Sequence, residues 1–196
     1  MISGGFFMKN NLHNAIDEGC RVHESWKQAV EAAVKKIIIK YYQTSPSRRS
    51  AALLLKLVEQ TWKKIDKNLF DSLAHYYIVL AKMLDHILRF LHPLRDGNCC
   101  PFLLFERMEY VSKQLKAKII LDIDIIYSEN EGYTIRKFML EEDEQFQNRY
   151  KQAALIICKE VFQKLPEKIE FYSLLNGTCH VVTIAEQDYG VCTPLR

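Results

Sequence analysis

The apolar positions of the first half recur with the period of a helix. Across positions 14–42, Val22, Trp26, Val30, Ala33, Val34 and Ile37 fall at three- and four-residue steps, which predicts one amphipathic helix. Thr44-Ser45-Pro46-Ser47 breaks the pattern and offers hydroxyls to cap the next helix. A second helix is expected over positions 48–67, with Leu54, Leu57, Val58 and Trp62 as its buried stripe. A third, strongly apolar helix is expected over 69–91, with Tyr77, Leu80, Leu84, Ile87 and Leu91 inward. His92-Pro93 and Asp96-Gly97-Asn98 end it.

The period then shortens to two. Positions 102–111 read as a strand. Positions 117–139 carry two runs rich in Ile, Leu, Tyr and Thr around a polar linker at 128–132. That pattern predicts a β-hairpin with a loop longer than the two-residue minimum. Strand alternation puts Asp122 and Asp124 on one face of the first strand and the isoleucines on the other. Acids in so apolar a strand are costly to bury without compensation. A metal ion, a basic partner or an exposed strand face would each supply it.

The acidic run at 141–144 suits a helix N-terminus. The helix is expected to reach position 164, with Tyr150, Ala154, Ile157, Val161 and Leu165 on one face, and Pro166 stops it. Positions 168–175 and 179–185 read as strands joined by Asn176-Gly177, a strong turn pair. The tail after Glu186 is expected to be irregular. The order predicts one α+β (mixed α/β) domain over 1–196, with a helical half at 14–92 and a strand–hairpin–helix–hairpin core at 101–186.

Composition changes this picture little. The chain has 196 residues, 48% of them apolar and 26% charged, which suits one ordinary globular domain with a real core. A net charge of +3 permits contact with nucleic acid without arguing for it. No apolar run approaches the ~18 residues of a membrane span, so no membrane role is expected. The opening residues are too weakly apolar for a signal peptide. Six cysteines without a repeating spacing suit reduced thiols, and a cytoplasmic location is expected.

Four features occur in a telling order. Gly19-Cys20-Arg21-Val22-His23-Glu24 opens the first long helix. Phe105-Glu106-Arg107-Met108-Glu109-Tyr110-Val111 lies on the strand before the hairpin. Ile123-Asp124-Ile125-Ile126 lies on the first hairpin strand, and Gln152 lies on the following helix. This arrangement resembles the RecB-type branch of the PD-(D/E)XK nucleases over positions 19–175. The resemblance implies a restriction-endonuclease-like core and metal-dependent hydrolysis of phosphodiesters. Such hydrolysis uses Mg²⁺ or Mn²⁺ on carboxylate oxygens to activate water and stabilise charge on the phosphate. By the same resemblance His23, Glu106 and Asp124 would be metal ligands, and Lys137 the catalytic lysine.

The match also fails at defined points. The family's acid–aromatic–lysine strand aligns with Lys137-Phe138-Met139, so Lys137 stands where the acid belongs. A shorter register makes Lys137 the lysine but leaves Ile135 in the acid position. Leu121 replaces the strand glycine, and Ile156 replaces the helix tyrosine although Gln152 is kept. One of Glu141, Glu142 or Asp143 could substitute as a ligand. Some family members hold an iron–sulfur cluster, but the tight late C-x-x-C spacing is missing among Cys158, Cys179 and Cys192. Ordinary thiols fit better, and zinc on Cys179, His180 and Cys192 is equally disfavoured.

Each residue also has a plain reading. His23 fits a half-buried helix-start histidine, Asp124 a solvated strand acid, and Arg48, Arg49 and the other basic pairs a solvated helix face. The resemblance makes Gln152, Arg48 and Arg49 candidates for contact with DNA or RNA. The reading is therefore a RecB-like fold with a degenerate site. It would bind nucleic acid or serve as a structural subunit beside a protein partner in a helicase or nuclease complex. The alternatives are an active metal-dependent exonuclease with a rearranged site and an interaction module unrelated to nucleic acid.

Overall fold

A computed structural model describes residues 25–91, 101–112, 116–129 and 132–192. The expectations for positions 14–24, Cys20 and His23 among them, and for the helix end at 92–98 lie outside the described residues.

Helix α1 (Trp26–Gln43) starts at Ser25. The Ser25 hydroxyl accepts from the Gln28 amide while the Gln28 side chain accepts from the Ser25 amide, a reciprocal cap. It buries the expected Val30, Ala33, Val34 and Ile37 and also Ile38, while the expected Trp26 is only partly buried. Helix α2 (Ala51–Trp62) is capped by Ser50 and buries the expected Leu54, Leu57, Val58 and Trp62. Helix α3 (Leu73–Phe90) is capped by Ser72, but its buried stripe is Tyr76, Val79, Met83, Ile87 and Phe90. The expectation for Tyr77 is corrected: it is 51% exposed. Its neighbour Tyr76 goes inward instead, where its ring meets Trp62 at 5.7 Å and Phe70 at 5.1 Å.

The strands are β1 (Pro101–Ser112), β2 (Ala117–Glu129), β3 (Gly132–Met139), β4 (Lys168–Ser173) and β5 (Thr178–Thr183). They form one sheet in the order β1-β2-β3-β4-β5. All neighbours are antiparallel except β3 and β4, which are parallel and joined across helix α4 (Glu144–Phe162). A parallel neighbour needs such a crossover, because a tight turn can only reverse the chain. The hairpin pairs out to Glu129↔Gly132, so its loop is shorter than the polar composition implied. Helix α5 (Glu186–Cys192) occupies the tail expected to be irregular. Asp188 holds it in place by accepting from the Ala185 amide and from Lys151.

The sheet is covered on both faces. On one side Ile125, Tyr127, Phe138, Leu140, Tyr172 and Leu174 pack with the cores of α1, α2 and α3. On the other side Leu121, Ile123, Ile126, Tyr133, Ile135, Ile169 and Phe171 pack with Tyr150, Ala154, Ile157 and Cys158 of α4. The fold is thus α+β, with a helical layer, a mixed sheet and a second helical layer. Double coverage also explains why β3 and β4 are buried along almost their whole length. Among the described residues no helix is long and apolar enough to cross a membrane.

Candidate functional site

The site forms where strands β1, β2 and β3 lose their regular pairing. Phe105 in β1 has a φ of 53°, a left-handed conformation that interrupts the strand between the pairs Leu104↔Ile125 and Glu106↔Ile123. Opposite this interruption the alternation of β2 slips. Ile123 packs toward α4, Ile125 toward the helical half and Ile126 toward α4 again. The expected separation of acids and isoleucines onto opposite faces therefore fails. Asp122 is exposed, Asp124 is buried at 6%, and the isoleucines lie on both sides.

Strands β2 and β3 pair only as far as Ile125↔Arg136. Beyond that point the Asp124 carboxylate takes the place of the ladder. Its Oδ2 accepts from the Phe138 amide at 2.8 Å, and its Oδ1 accepts from Lys137 Nζ at 2.8 Å. Lys137 Nζ also donates to the Asp122 carbonyl at 3.2 Å and lies 5.6 Å from the centre of the Tyr150 ring. Burial raises the Asp124 carboxyl above its ordinary range. The Lys137 charge and hydrogen bond, the Phe138 amide and Lys35 all oppose that rise without cancelling it.

In front of this pair lies a cleft of about 910 Å³. Its walls are the first three turns of α1, the middles of β1 and β2, the end of β3, and the segment leading into α4. Helix α1 contributes Lys27, Glu31 and Lys35, one turn apart on one stripe. Glu31 lines the cleft with an exposed side chain that makes no hydrogen bond among the described residues. Burial among the surrounding atoms raises its carboxyl first. Lys137 and Lys27 pull it down, and Asp124 pushes it up. Sequence reasoning missed Glu31. The available signal was its four-residue spacing from Lys27 and Lys35 on the polar side of α1.

The residues expected at the site are only partly gathered here. Asp124 and Lys137 meet, and Glu106 lines the same cleft with an exposed side chain. Gln152 lies exposed on α4 and does not line it. Arg48 is exposed in the connection between α1 and α2. Arg49 donates to the carbonyls of Tyr42 at 2.9 Å and Thr44 at 3.0 Å, and its guanidinium sits 4.9 Å from the Tyr42 ring centre. That geometry ties the connection to the end of α1 and lies away from the cleft. The three acids considered as substitute ligands are engaged elsewhere. Glu141 pairs with Lys27 at 2.6 Å, Glu142 accepts from the Thr178 hydroxyl, and Asp143 caps α4 through the Phe146 amide.

The resemblance implies Mg²⁺ or Mn²⁺, and the described carboxylates can be compared with what such an ion requires. Such ions need oxygen ligands in an octahedral arrangement. Both Asp124 oxygens already accept from N–H donors, and Ile135 is fully buried in the apolar layer. No group of three or more His, Cys, Asp and Glu side chains placed to hold a metal occurs among the described residues. Cys158 is buried, and burial pushes its thiol up to about 11.

Behind the cleft a second polar cluster fastens β3 to β4. Arg136 and Glu170 form a buried ion pair at 3.1 Å. Tyr127 and Tyr172 both donate to the same Glu170 oxygen, at 3.1 and 3.0 Å, and their rings flank the Arg136 guanidinium. Burial alone would raise the Glu170 carboxyl, but Arg136, the Tyr172 hydroxyl and Lys168 hold it below its ordinary value.

No protein-family model matches this chain, and no curated protein matches its sequence.

Proposed function

We propose that this chain is a RecB-type nuclease-like fold in which an internal ion pair stands where the catalytic metal site would be. It works without cleaving, as a structural or nucleic-acid-binding subunit of a nucleic-acid-processing assembly. One observation carries the reading: the Lys137 ammonium sits 2.8 Å from Asp124 Oδ1, where the end of β3 parts from the middle of β2 beside a cleft. In the longer of the two registers Lys137 replaces a metal-binding acid. A fixed cation then neutralises the remaining aspartate and competes with a divalent ion for its oxygens.

The charge of the cleft favours the structural role over direct phosphate contact. Lys27, Lys35, Arg107 and Lys137 face Glu31, Glu106, Asp122, Asp124 and the four acids at 141–144. Phosphate binding rests on uncompensated cations. Here Lys27, Arg107 and Lys137 each lie within 4 Å of a carboxylate.

The test is cleavage of single- and double-stranded DNA and RNA with Mg²⁺ and Mn²⁺, beside calorimetric titration of Mn²⁺. The native chain is expected to cleave nothing. Lys137→Asp is expected to gain Mn²⁺ binding that disappears in Lys137→Asp/Asp124→Ala. Divalent-dependent cleavage by the native chain, abolished by Asp124→Ala, would overturn the proposal. It would favour the second reading, a metal-dependent nuclease with a rearranged site. That reading draws on Glu31, whose free carboxylate faces the Asp124–Lys137 pair and could join Asp124 and Glu106 as a ligand.

A further inference from the structure

We draw no further inference here: the strongest candidate, the carboxylates Glu31, Glu106 and Glu144 along the walls of the cleft, belongs to the site already described, and no second observation in the structure points to a ligand for them.

Discussion

Replacing Lys137 with methionine keeps most of the side-chain volume and removes the ammonium. Asp124 is then left as a buried carboxylate with one hydrogen bond, from the Phe138 amide. Both partners are well covered, at 14% and 9% side-chain exposure, so solvent screening does little to soften the loss. Removing one member of a buried ion pair costs about 3–5 kcal/mol. With a urea slope of about 2 kcal/mol per molar, a loss near ~3 kcal/mol lowers the unfolding midpoint by about 1.5 M. The effect should depend on pH with a definite sign. The folded Asp124 carboxyl is already raised above its ordinary value, and losing Lys137 removes its largest opposing influence. A raised carboxyl contributes stability below its unfolded pKa, and that contribution is lost as pH rises through the folded pKa. The variant should therefore recover part of its loss as pH falls from 7 toward 4. Lys137→Met/Asp124→Asn should recover most of it at pH 7, because an amide oxygen can still accept from Phe138 without burying a charge. The assay is urea unfolding followed by circular dichroism at several pH values. A single variant within about 0.5 kcal/mol of native, or a deficit that does not change with pH, would refute the account, since surface substitutions already scatter that far.

Three further outcomes follow from other parts of the fold. Glu170→Gln weakens the Arg136 pair that joins β3 to β4 and should cost about 3 kcal/mol at pH 7. Because the Glu170 carboxyl is held low, its contribution is present above the ordinary carboxylate range and is lost as pH falls through the folded pKa. The gap between native and variant in acid titrations of unfolding should therefore close below pH 4.5, the ordinary value for this carboxyl. Gly177→Ala should lower stability by roughly 1–3 kcal/mol in thermal unfolding, since Gly177 has a φ of 74° and a new Cβ would collide with the His86 ring. Thiol labelling at pH 8 with peptide mapping should modify exposed Cys179 quickly and spare Cys158 until the chain unfolds, because burial holds the Cys158 thiol near 11.

The fold was largely legible because its strongest signals are local. The stripe of α2, the turn at Asn176-Gly177 and the change of period after the helices all survive in the structure, since one element suffices to specify each. The errors fall where neighbours decide. In α3 almost every position is apolar, so two adjacent stripes compete. Packing on Trp62 and Phe70 selects Tyr76 over Tyr77, and no periodicity within α3 encodes that choice. In β2 the alternation predicts the isoleucines on one face, but the slip opposite Phe105 sends Ile125 to the helical half while Ile123 and Ile126 pack toward α4, and Asp124 is buried where Asp122 is exposed. A left-handed φ at a phenylalanine has no sequence signature. The site shows the same division. Its residue types could be read only through the family resemblance, which proposes Asp124 and Lys137 as site residues and, in one register, Ile135 in the position of an acid. Their relation could not. On the sequence alone, Lys137 was either a catalytic lysine beside a vanished ligand or a cation in the ligand's own place. The structure adds that the two meet, with Nζ 2.8 Å from Oδ1, and the proposed function takes the second description. The side-chain change Lys137→Asp separates these two descriptions: it should create a cation site if lysine stands in the ligand's place, and should only remove a catalytic group if it does not.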